Sequence, residues 1–185
     1  MKRLWAPWRL QYIEQTPHEE GCIFCVKPQQ ARDDENYLLH RGPHCFIMLN
    51  AFPYNNGHLL IAPYRHLPDL AELNDDEQLD LLALTNLGMK TLREVYHPQG
   101  FNVGINVGQV AGAGIADHIH LHIVPRWSGD TNFMPVLGET RVVPQALSES
   151  YERLKKQVRG DRERGEGCPQ SRGDRSEDHR HPGRI

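Results

Sequence analysis

The chain contains no uninterrupted apolar run of the roughly eighteen residues that a membrane-spanning helix needs. Its opening stretch, Met1-Lys2-Arg3-Leu4-Trp5-Ala6-Pro7-Trp8-Arg9, carries charge but no continuous apolar segment of the secretory type. An excess of one charge is also missing. Lys and Arg number 21 against 24 Asp and Glu, a net charge of -3, so there is no electrostatic case for a nucleic-acid or membrane partner. Cysteine is sparse: the four comprise a close pair, Cys22 and Cys25, with Cys45 and Cys168 standing alone. That usage suits a reduced, cytoplasmic protein and not a disulfide-stapled one. No internal repeat is present, and 185 residues are expected to fold as one domain of ordinary size.

Apolar residues become scarce again beyond Gly160. From there to Ile185 the chain is mostly Arg, Asp, Glu, Gly, Ser and Pro, which cannot offset the entropy of ordering itself. The expectation is a domain over residues 1–159, its last polar stretch, 148–159, able to form a helix, followed by a disordered charged tail over 160–185. His179 and His181 in that tail read as solvated side chains.

What is present is concentrated in a pentapeptide, residues 118–122, in which His alternates with Ile and Leu. Strict alternation marks a half-buried strand, because successive side chains leave a sheet on opposite faces. His118, His120 and His122 therefore share one face, while Ile119, Leu121 and Ile123 occupy the other. Chance gives about 0.04 occurrences of such spacing at this histidine content. The residues alone leave two uses open, a metal site and a phosphate-directed catalytic strand.

The neighbouring segments are consistent with a small sheet. Residues 45–49 read as a buried strand, Asn50 to Gly57 as a turn, and 58–62 as the returning strand, ended by Pro63. A helix starts at Asn74, whose side chain caps while Glu77 completes a capping box, with Asp75 and Asp76 at the positive end of the dipole. Leu81, Leu84, Leu92 and Val95 recur at helical spacing, Gly88 allows close packing on the sheet, and Pro98 and Gly100 close the helix. Residues 101–108 alternate once more: Phe101, Val103, Ile105 and Val107 on one face, Asn102, Gly104, Asn106 and Gly108 on the other. The glycine-rich loop 109–117 then leads into the histidines, and its N–H groups can cradle phosphate oxygens.

With these segments in place, the chain resembles the histidine triad family over roughly residues 20–127. The resemblance rests on His118, His120 and His122 with their apolar partners, on residues 57–63, on Asn50, and on residues 104–108. Residues 4–9 and 125–135 are similar to a bacterial branch that includes diadenosine tetraphosphate phosphorylases and hydrolases. The resemblance implies an α+β fold with a five-stranded antiparallel sheet and helices, joined across a homodimer. It implies an enzyme acting on a nucleotide or dinucleoside polyphosphate. His120 is then the nucleophile on the α-phosphate, with His122 and His58 on phosphate oxygens, Asn106 donating to phosphate and Asn50 meeting the ribose hydroxyls. Gly112 and Gly114 would present backbone N–H groups, and Trp127 would reach toward a second nucleotide or serve as packing. Many members carry Ser or Thr three residues before the first His; here residues 113–115 are Ala113, Gly114 and Ile115, so that hydroxyl is missing.

A subset of the family pairs a Cys-x-x-Cys turn with two histidines. By resemblance, Cys22, Cys25, His66 and His118 would hold a structural Zn²⁺, closed to water because all four positions are filled. No organic cofactor is implied. Three other readings stay open: a catalytic zinc held by the His strand, a nucleoside phosphoramidase, and a nucleotide-binding sensor without turnover.

Overall fold

The computed structural model describes residues 21–130 and 145–163. Trp5, Trp8, residues 131–135 and Cys168 lie outside them, as does the tail from residue 164 onward. Chain order is α1 (Ile23–Gln29), β1 (Leu38–Arg41), β2 (Cys45–Leu49), β3 (Leu59–Pro63), α2 (Asp75–Tyr96), β4 (Gly100–Ile105), β5 (Leu121–Arg126) and α3 (Leu147–Glu163). The strands form one antiparallel sheet in the order β1-β2-β3-β5-β4. This is the expected five-stranded α+β architecture. No helix among the described residues is long and apolar enough to cross a membrane.

Each face of the sheet has its own cover. Ile47, Leu49, Leu59, Ile61, Ile119, Leu121 and Ile123 pack under α2 and α3, against Leu81, Leu84, Leu92 and Leu154. Phe46, Met48, Leu60 and Ala62 face the other way and are met by Phe24 of α1 and by Ile115. Helix α2 begins as its sequence demands. Asn74 accepts from the Glu77 N–H at 2.9 Å, and the Glu77 carboxylate accepts from the Asn74 N–H at 2.9 Å. Gly88 sits where α2 crosses the sheet: a Cβ there would come within 3.1 Å of both Leu59 and Ile123, so the missing side chain permits the close approach.

Three details differ from the sequence expectation. Pro63, expected just past the strand, is the last residue of β3. Pairing with β5 has already ended at Ile61, so no neighbour on that side asks for its missing N–H. The ladder of β5 starts at Leu121, leaving His118 to His120 ahead of it, tethered by the Ile119 N–H to the Leu67 carbonyl at 2.7 Å. Helix α3 continues past Arg159 to Glu163, so the change in composition at Gly160 falls inside a helix. Asp161 explains that extension: it is fully buried, 3.6 Å from the Lys90 ammonium on α2.

Candidate active site and metal cluster

Parity decides which rings meet. Leu60 pairs with His122 and Gly104 with His122 from the other side, so the imidazoles lie on the face covered by α1. His120 is only 5% exposed, with its ring centroid 4.9 Å from that of His122 and 4.8 Å from that of Phe24. Its Nδ1 lies 2.9 Å from the His118 backbone carbonyl. A carbonyl can only accept, so the proton of neutral His120 sits on Nδ1 and Nε2 carries the free electron pair. Burial pushes the His120 pKa down from the ordinary histidine value, with the carbonyl bond pulling the other way. The lowered pKa means that acid must go further before this nitrogen is blocked. The acid limb of kcat/KM is therefore expected below about pH 6.5; a limb centred above that value would show that the group is not held neutral.

His58, fully buried, sits between two sets of partners. Its Nε2 is 3.0 Å from His122 Nδ1. Its Nδ1 receives the Tyr54 backbone N–H at 3.1 Å and lies 3.2 Å from Asn50 Nδ2. Asn50 is itself oriented by the Phe52 N–H, which donates to its Oδ1 at 2.9 Å. The Tyr54 ring stacks on His58 at 4.8 Å and reaches His122 at 6.1 Å.

The second cluster adjoins the first. Cys22 Sγ lies 3.3 Å from His118 Nδ1, Cys25 Sγ lies 3.4 Å from His66 Nδ1 and 3.6 Å from His118 Nδ1, and the two Nδ1 atoms are 3.2 Å apart. All four donor atoms fall within 4.8 Å of one another, so these residues can hold a metal ion. With Zn–S near 2.3 Å and Zn–N near 2.0 Å, tetrahedral edges run from about 3.3 to 3.8 Å, which these separations approach. The lone pair faces the right way too. His118 Nε2 donates to the Pro63 carbonyl at 2.9 Å, leaving Nδ1 unprotonated and aimed at the sulfurs, the outer-shell arrangement of a ligating histidine. Burial holds the His118 pKa at about 4, so the ring is neutral at pH 7. Burial and the neighbouring Cys22 push the Cys25 thiol up, a penalty on the thiolate that a cation would relieve. By contrast, burial pushes the Cys45 thiol up to about 12 and removes it from chemistry.

The remaining candidates are placed less evenly. Asn106 lies one residue past the end of β4, whose Gly104 pairs with His122 and Ile105 with Leu121. The Gly112 N–H bonds the Gln109 carbonyl at 3.0 Å and the Ala113 N–H bonds the Gly108 carbonyl at 3.4 Å, so two of the three N–H groups at 112–114 are spent inside the loop. Trp127 is not brought to the histidines; its indole N–H donates at 3.3 Å to the carbonyl of Tyr96, which ends α2 and needs a donor. Phe24 and Tyr54, which press on the reactive rings, escape sequence reasoning. Only the position of Phe24 inside the Cys-x-x-Cys turn hinted at a neighbourhood with His118.

The profile of the HIT domain matches residues 32–129. The chain belongs to the HIT domain family. Relatives of this HIT protein include an AP-4-A phosphorylase of Mycobacterium tuberculosis, 38% identical over 157 residues, or 81% of this chain and 80% of that protein. Among solved structures it resembles a zinc-bound histidine triad family protein of Mycobacterium smegmatis. That match has a TM-score of 0.62 and 27% identity, and covers 78% of this chain and 97% of the other. It also resembles a hypothetical histidine triad nucleotide-binding protein of Sulfolobus tokodaii, with a TM-score of 0.60 and 26% identity, over 77% and 93% of the two chains. These likenesses support a nucleotide-processing HIT enzyme.

Proposed function

We propose that this HIT protein cleaves dinucleoside polyphosphates at an α-phosphate through a nucleotidyl-histidine intermediate. His120 Nε2 supplies the electron pair that forms the phosphorus–nitrogen bond, and the phosphorus–oxygen bond to the departing nucleoside polyphosphate breaks. Water or inorganic phosphate then attacks the same phosphorus, and the bond to Nε2 breaks in turn. His122 and Asn106 donate to the phosphate oxygens as charge builds on them. One observation carries the reading: the 2.9 Å bond from His120 Nδ1 to the His118 carbonyl, which leaves a buried, neutral nitrogen as the nucleophile. The likeness to a phosphorylase of AP-4-A supports the substrate class.

Ile115 stands where the family resemblance leads one to expect a hydroxyl, and it packs against the apolar cluster that contains Phe24 and Phe46 instead. The acceptor is therefore read by experiment. With diadenosine tetraphosphate, ADP plus ATP formed only when phosphate is added identifies phosphorolysis, and ATP plus AMP identifies hydrolysis. Two ADP, or tight binding without products, refutes attack at the α-phosphate.

The metal assigned to Cys22, Cys25, His66 and His118 is zinc, in a structural role, since four protein donors leave no position for water. Homodimerisation belongs to the same proposal: β4 is an edge strand, and Val103 on it and Val107 just past it are each 44% exposed.

A further inference from the structure

We propose that Cys22 and Cys25 are a reversible oxidation site: an oxidant of the peroxide class closes them to a disulfide and so slackens both supports of the His120 ring. Three observations select this pair. The Cys22 carbonyl accepts from the N–H groups of Cys25 and Val26 at 2.9 and 3.0 Å, a tight turn that keeps the two cysteines together. Their sulfurs lie within 4.8 Å of each other, so closure to the roughly 2.05 Å of a disulfide is a local rearrangement. Both side chains are half-buried and open to a small solute, whereas Cys45 is 0% exposed and sealed in the core. The step balances without further reactants. One sulfur attacks the peroxide, the O–O bond breaks, and a sulfenic acid and one water form; the other sulfur then attacks the first and its oxygen departs as water. The cysteines lose two electrons, the peroxide gains them, and the protons come from the thiols or, for thiolates, from solvent.

The disulfide reaches the nucleophile by two routes. His118 is gripped at three points: its Nδ1 by the two sulfurs at 3.3 and 3.6 Å, its Nε2 by the Pro63 carbonyl at 2.9 Å, and its ring by Phe24 at 5.2 Å. The carbonyl of this same residue holds the His120 Nδ1 proton at 2.9 Å. Phe24 lies between the two cysteines in the chain, and its ring stands 4.8 Å from that of His120. The backbone support and the ring wall of His120 thus both begin in the cysteine turn. Closing the disulfide withdraws the first grip on His118 and pulls on residue 24. It also takes two of the four donors away from a bound cation, leaving only His66 and His118.

The thiol chemistry is read without substrate; the loss of rate rests on the nucleotidyl-transfer reading above, and ion release on the zinc assigned there. The full chain is treated with a few equivalents of hydrogen peroxide. The proteolytic peptide carrying both cysteines is expected to become lighter by two hydrogens, and zinc to appear in a chromogenic chelator. Turnover should fall at least about tenfold, with the far-UV dichroism spectrum unchanged, and return with a thiol reductant and added zinc. Cys168→Ser should respond as the parent does. In ¹⁵N-histidine protein the Nδ1 proton resonance of His120 should move on oxidation and return on reduction. Oxidation confined to other cysteines overturns the proposal, as does a Cys22–Cys25 disulfide that leaves turnover unchanged. So does a far-UV spectrum lost in step with turnover, since collapse of the fold is not a local slackening. If the reduced protein turns over no dinucleoside polyphosphate, the reading above fails, and the His120 resonance decides here: an unmoved signal overturns the coupling.

Discussion

His120→Ala is expected to lower turnover by at least about a thousandfold while leaving the melting temperature within a few degrees of the parent. The reasoning is local. The ring packs on Phe24 at the edge of the smaller apolar cluster and bonds a backbone carbonyl, so truncation strands no buried side-chain partner but removes the imidazole whose proton that carbonyl fixes on Nδ1. Rapid quenching of the parent enzyme at alkaline pH should recover a nucleotidyl group on His120, since phosphorus–nitrogen bonds are acid-labile and base-stable. Retained turnover in the variant, or a label on another residue, would overturn the assignment of His120 as nucleophile.

Removal of zinc is the second large effect. The purified protein is expected to carry about one zinc per chain, and a strong chelator should lower the melting temperature by on the order of 10 °C. Three separate segments converge on that cluster: the N-cap and first turn of α1, the loop after β3 and the residue that opens the histidine run. Without a cation, the two Nδ1 atoms meet at 3.2 Å beside two thiols, and α1 is held to the sheet by the burial of Phe24, worth about 2–3 kcal/mol, and by the Arg41 side chain of β1, which donates to the Pro28 carbonyl at 2.8 Å. Cys22→Ser should reproduce the shift and leave chelation without further effect. Equal melting with and without chelator, together with no zinc by elemental analysis, removes the metal from the account.

Much of this could be read from local sequence, and the reason is that the signals were themselves local. The capping box of Asn74 and Glu77 needs only four residues, and alternation at 118–123 assigns faces whatever the partner strand. Gly88 was legible because a helix that must sit close to a sheet needs a gap. What escaped the sequence depends on distant pieces. Trp127 was a candidate for the ligand, but its indole N–H is claimed by the end of α2, 31 residues earlier. Asn50 and His58 are only eight residues apart, but their mutual bond requires the turn at Phe52 to rotate the amide, which no periodicity announces. The N–H groups at 112 and 113 looked available until the loop closed on itself. The last helix follows the same rule: composition changes at Gly160, but Asp161 reaches back to Lys90 and the helix runs on to Glu163.

The division of labour between the two sides of the sheet constrains how such a chain can change length. Between Ile105 and Asp117 the backbone is loop and 3₁₀ turn, where insertions alter reach without altering orientation. From His118 to Ile123 no such freedom exists. Deleting one residue there would rotate every later side chain through half a turn, driving imidazoles under α2 and turning Leu121 and Ile123 out toward the nucleotide side. Lineages can thus lengthen the approach to the reactive ring while the six residues that hold it stay fixed in number.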